Sequence, residues 1–99
     1  MKSYDAPDEF IPFVSDDVIQ KERRIAKELK KTIWWKNKRA SGICHYCRGK
    51  FEVADLTMDH LIPLNRGGTS IKANLVPCCK NCNNNKKYSL PQEFQPNHD

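Results

Sequence analysis

Ninety-nine residues and about 11.5 kDa leave room for one small domain with a modest core. Hydrophobic residues make up 38 % of the chain and charged residues 29 %, and no run of about 18 apolar residues exists, which excludes an α-helical membrane span. The opening Met1-Lys2-Ser3-Tyr4-Asp5 lacks the apolar stretch of a secretory signal. A soluble cytoplasmic protein with no membrane partner is therefore expected. Five cysteines in so short a chain then point to metal, because disulfides are rare in a reducing compartment. A domain of this size commonly needs such a staple to fold.

Charge is unevenly spread. The net value is +5, yet residues 1–20 carry −4, residues 21–39 carry +7 and residues 40–99 carry +2. A concentrated positive segment suits a polyanion, most often nucleic acid. A solvated helix face is the plainer alternative.

Taken in chain order, residues 1–14 hold Pro7, Pro12 and several acids and read as an irregular arm, anchored by Phe10, Ile11 and Phe13. Ser15-Asp16-Asp17 signals a helix start: short polar side chains cap free N–H groups, and acids suit the positive helix end. Val18, Ile25, Leu29 and Ile33 recur at spacings that share one helical face. A basic helix is expected over 15–40, stopped by Ser41-Gly42. At least one of Trp34 and Trp35 is expected in the core, with base stacking as the alternative. Phe51-Glu52-Val53, Leu56-Thr57-Met58 and Leu75-Val76-Pro77 read as short extended pieces. Asn65-Arg66-Gly67-Gly68 reads as a loop. Lys80 to Tyr88 reads as a short helix, although Asn83-Asn84-Asn85 are poor helix formers. Pro91 opens a tail over 91–99.

Cys44-x2-Cys47 and Cys79-x2-Cys82 are separated by 31 residues. Two such knuckles supply four thiolates, which suit tetrahedral Zn²⁺ at about 2.3 Å per bond. Four protein ligands close the site, so this zinc is structural. Cys78 is a spare, read as a small buried residue. His45 is read as a surface residue, since four thiolates already complete the shell.

Between the knuckles lies Asp59-His60, followed by Pro63, Gly67-Gly68, Asn74-Leu75, Cys82-Asn83 and Lys86. With the four cysteines, this order and spacing over residues 41–88 resembles the HNH nuclease family. The resemblance implies an α+β fold, a small zinc-stabilised ββα-metal (His-Me finger) domain over 41–90, preceded here by the basic N-terminal helix. It implies His60 as the first motif histidine, Asn74 as the central asparagine and Asn83 at the third position. That position is Asn rather than His, as in a phage resolvase branch that also carries two zinc knuckles. It further implies one catalytic metal and products with 5′-phosphate and 3′-hydroxyl ends.

The residue chemistry agrees with that likeness. Neutral His60 can accept a proton from water. Asp59 and Asn83 offer hard oxygen ligands for Mg²⁺ or Mn²⁺. The resemblance also implies that Asn74 hydrogen-bonds backbone near His60 and holds the loop, although an Asn before an apolar pair can simply make a turn. Lys27, Lys30, Lys31, Arg66, Lys86 and Lys87 are candidate phosphate contacts, with solvated surface the alternative for each.

The sequence reading is thus a metal-dependent HNH endonuclease acting on DNA. Charge alone does not separate DNA from RNA. No base-reading element is evident, which leaves specificity low or supplied by a protein partner. The first rival is a zinc-knuckle nucleic-acid-binding module without catalysis. The second is an interaction domain that docks through the face of Ile25, Leu29, Ile33 and Trp34.

Overall fold

The computed structural model describes residues 14–94. The expected N-terminal arm, apart from its last residue, lies outside them, as does the tail beyond Phe94.

Helix α1 spans Asp16–Leu29. Ser15 caps it, its hydroxyl accepting from Val18 N, and Asp16 and Asp17 occupy the first turn. The single helix expected over 15–40 is corrected here. The chain turns at Lys30–Thr32 and a second helix, α2, runs over Ile33–Lys38. Thr32 explains the break. Its hydroxyl donates to Leu29 O at 2.6 Å and accepts from Trp35 N at 3.3 Å. One side chain closes the first helix and caps the second, which is the alternative that threonine offers to a continuous helical ladder.

The apolar face expected for α1 is also corrected. Val18, Ile25 and Ile33 are exposed, Ile33 at 67 %. The side turned to the protein carries Ile19, Glu22, Ala26 and Leu29, of which Ala26 is buried. Trp35 is the buried tryptophan, at 2 % exposure. Trp34 is half-buried, with the ammonium groups of Lys38 and Lys72 at 5.9 and 5.5 Å from its ring centroid.

After α2 the chain passes through Gly42 at φ +75°. A Cβ there would lie 2.6 Å from Phe51 O, so only glycine fits this backbone approach. The first knuckle follows and closes on an isolated bridge between Ile43 and Lys50. Phe51-Glu52-Val53 does not form the expected strand; Val53–Asp55 is a 3-10 turn. Strand β1 spans Thr57–His60 and pairs antiparallel with β2, Leu75–Cys78, in the register Thr57↔Cys78, Asp59↔Val76 and His60↔Leu75. Helix α3, Lys80–Lys86, follows β2 at once. The expected Gly-rich loop lies in the connection between the strands, which also includes 3-10 turns at Leu64–Arg66 and Lys72–Asn74.

Among the described residues, four of the nine that form the buried apolar core are cysteines. Cys44, Cys78, Cys79 and Cys82 pack with Leu56, and Tyr46, Phe51 and Phe94 surround them. Sulfur therefore occupies much of the place that a hydrophobic core would fill. The result is a small α+β unit, a two-stranded sheet and a helix on a cysteine cluster, consistent with a ββα-metal domain. Among the described residues no helix is long and apolar enough to cross a membrane.

Candidate functional site

The first component is the cysteine cluster. The Sγ atoms of Cys44, Cys47, Cys79 and Cys82 all lie within 4.8 Å of one another. All are free thiols, and four sulfurs this close suit tetrahedral Zn²⁺. Each knuckle also turns backbone N–H groups onto its sulfurs. Tyr46 N donates to Cys44 Sγ, Gly49 N to Cys47 Sγ and Cys82 N to Cys79 Sγ, each at 3.4 Å. Such bonds favour the thiolate. Burial alone would raise the Cys44 thiol, but hydrogen bonds from the backbone of Cys79, Cys47 and Tyr46 outweigh it and bring the value down to about 7. Cys78 stands outside the cluster. It is fully buried, and burial pushes its thiol up, as fits a small packing residue. His45 is exposed.

The second component is a cleft of about 750 Å³ beside the sheet. Asp59, His60 and Asn83 all line it, together with Ile19 and Arg23 of α1 and Lys87. Strand alternation would send neighbours Asp59 and His60 to opposite faces. Here His60 is the last residue of β1, and both still reach the cleft.

Thr57 and Asp59 share a strand face, and α3 packs on it. Asn83 Nδ2 donates to Thr57 Oγ1 at 3.0 Å, and that hydroxyl donates to Cys78 O at 2.9 Å. The amide nitrogen of Asn83 is thereby pinned, which fixes the direction of its oxygen. One turn further along α3, Lys86 Nζ lies 3.3 Å from Asp59 Oδ2 and donates to His60 O at 3.1 Å. Lys86 is 1 % exposed. The phosphate contact expected of Lys86 is therefore corrected: its ammonium braces Asp59 from inside. Tyr46 supplies a second brace. Its hydroxyl donates to Asp59 Oδ2 at 2.5 Å. Burial and this bond push the Tyr46 hydroxyl above its ordinary value, so it remains a donor. Tyr46 lies between the two cysteines of the first knuckle, so that knuckle touches the carboxylate directly.

Asn74 sits at the end of the inter-strand connection, 8 % exposed. Its Oδ1 accepts from Ile62 N at 2.8 Å, and its Nδ2 donates to Ile62 O at 3.1 Å and Thr69 O at 2.8 Å. It thus ties the segment just after His60 to the far side of the loop. His60 Nε2 lies 2.9 Å from Ser70 Oγ. Burial lowers the His60 pKa from its ordinary value, with Asp59 and Glu22 opposing and Lys86 and Lys30 assisting.

The remaining basic residues divide. Lys27, Lys30 and Lys31 are exposed at the end of α1, and Lys31 reaches Glu28 at 3.3 Å. Lys87 is exposed at the cleft. Arg66 is paired with Glu93 at 3.0 Å and donates to Tyr88 O, so it fastens the C-terminal segment to the loop. Sequence reasoning missed Tyr46, Ser70, Glu22 and Arg23. Arg23 at least belonged to a visible basic run. The others carried no local signal, because their roles depend on contacts 10 to 48 residues away along the chain.

Residues 44–89 match the family model of the HNH endonuclease. No curated protein matches the chain. The matched stretch takes in both knuckles, both strands, α3, Asp59, His60, Asn74 and Asn83, and it leaves out α1 and α2.

Proposed function

We propose that this chain, whose residues 44–89 carry an HNH domain, is a metal-dependent endonuclease that hydrolyses DNA phosphodiester bonds. The observation that supports it most is the convergence of Asp59, His60 and Asn83 on one cleft within that stretch. His60 is the general base, taking a proton from the attacking water while the bond from phosphorus to the leaving oxygen breaks. Asp59 and Asn83 are the ligands for Mg²⁺ or Mn²⁺, both presenting the oxygen chemistry such cations require. The bound cation supplies Lewis-acid stabilisation at the scissile phosphate.

The protein's own residues set the stage for that step. Tyr46 and Lys86 hold one oxygen of Asp59 in place, and Thr57 orients Asn83. Asn74 keeps the backbone after His60 from drifting. Lys27, Lys30 and Lys31 add salt-sensitive contacts to the DNA backbone, and Lys87 and Arg23, which line the cleft, supply positive charge for the phosphates of the bound strand.

The test is cleavage of supercoiled plasmid and of a branched DNA, each with Mg²⁺, Mn²⁺ or no added divalent ion. Purified zinc-loaded His60→Ala serves as control. Metal-dependent cutting that disappears in the variant is the expected result. No cutting by the zinc-loaded protein that still binds DNA would replace this reading with a non-catalytic binding module.

A further inference from the structure

The HNH match begins at Cys44, yet a hydrogen-bond chain into the cleft starts on α1. Ser70 Oγ lies 2.6 Å from the carbonyl oxygen of Glu22, and Ser70 N donates to Glu22 Oε1, also at 2.6 Å. Ser70 itself is 4 % exposed. On its other side, the same hydroxyl faces His60 Nε2 at 2.9 Å.

The donor count in this chain has one solution. A serine hydroxyl carries one proton, and a carbonyl oxygen can only accept. The hydroxyl proton therefore lies between Ser70 and Glu22. Ser70 must then accept from His60, which places a proton on Nε2. In a neutral imidazole that leaves the lone pair on Nδ1. The opposite tautomer would set the Nε2 lone pair against the hydroxyl oxygen. Relieving that would turn the hydroxyl away from Glu22 and cost the hydrogen bond that joins Ser70 to α1.

We infer that Ser70 and Glu22 are a positioning pair that locks His60 in its Nε2–H tautomer and presents Nδ1 as the base atom, so that α1 is a working part of the active site. This rests on the base role proposed for His60. The grip is two-pronged. The Glu22 carboxylate takes the Ser70 N–H while its carbonyl takes the hydroxyl, so rotation of Ser70 is opposed from both ends. Residue 22 lies outside the HNH-matching stretch, which makes this bracing a feature of the chain's own N-terminal helix. Lys27, in the last turn of α1, and the tautomer lock then share one helix. The helix that meets the DNA backbone also sets the direction of the proton acceptor.

The test uses the full-length, zinc-loaded protein with ¹⁵N-labelled histidine and no added Mg²⁺ or Mn²⁺. Ring nitrogen shifts of His60 at a pH where it is neutral report the tautomer directly. The wild-type protein should show Nε2–H, and an Nδ1–H ring would overturn the inference without any variant. Ser70→Ala should release the ring to a mixture of tautomers. It should also lower single-turnover kcat by about 10- to 100-fold, the size typical of lost support around a catalytic group, with KM for DNA unchanged. An unaltered tautomer and kcat in folded Ser70→Ala would refute the pair. Full activity in His60→Ala would instead refute the underlying base assignment, and the two failures are separable.

Discussion

Replacing Asn74 with alanine deletes three hydrogen bonds at once, to Ile62 N, Ile62 O and Thr69 O. A typical intramolecular hydrogen bond contributes about 1 kcal/mol net, so the brace is worth about 3 kcal/mol. For a domain of this size each kcal/mol moves Tm by about 4–8 °C, which gives a drop of about 12–24 °C. Thermal melting followed by circular dichroism at saturating zinc measures it. Asn74→Asp sharpens the test. It keeps an acceptor for Ile62 N–H but turns an oxygen towards the carbonyls of Ile62 and Thr69, where the amide had donated. It should therefore melt at least as early as the alanine variant. A residue that merely made a turn would tolerate aspartate, which turns favour as readily as asparagine. A drop under about 4 °C for Asn74→Ala, or wild-type melting for Asn74→Asp, would refute the bracing argument.

Stripping zinc with a strong chelator should unfold the domain, since closure of such sites is coupled to folding; unchanged melting after metal analysis confirms removal would contradict it. Gly68→Ala places a Cβ 1.8 Å from Ile62 O, a backbone atom with little room to yield, and should cost about 1–3 kcal/mol or more by denaturant titration. A variant within about 0.5 kcal/mol of wild type would show that the loop relaxes. Replacing Lys27, Lys30 and Lys31 together with glutamine should weaken DNA binding and reduce the slope of log K against log salt by about 2–3; an unchanged slope places the DNA elsewhere.

The site was legible wherever chemistry is local in sequence. Paired C-x2-C spacings name a tetrahedral cluster, and the four sulfurs do converge. Asp59, His60 and Asn83 could be singled out by residue type and order, and they share a cleft. What sequence hid was direction. Counting apolar spacings on α1 found a stripe at Val18 and Ile25, whereas the side turned inward carries Glu22. An acid facing the protein gives no hydrophobic signal. Thr32 looked like any helical residue, because nothing in its type says that its hydroxyl will serve two helices. Phe51 and Val53 are strand-forming types, but among the described residues no strand pairs with Phe51-Glu52-Val53, and a 3-10 turn begins at Val53 itself. Lys86 read as surface charge by residue type, yet the Asp59 carboxylate, the His60 carbonyl and the Tyr46 ring give its ammonium a place inside.

Tyr46 ties the time of synthesis to readiness. During translation Asp59 and His60 are made before Cys79, Cys82 and Asn83. The tyrosine that holds Asp59 sits in a knuckle whose metal shell stays half-built until Cys82 emerges. A nascent chain with the cutting chemistry proposed above thus carries its base and one ligand without a frame to aim them. On the function proposed above, the site would be framed only once Cys82 has been made and a zinc ion joins the four sulfurs, and a chain short of zinc would hold the same residues without that frame.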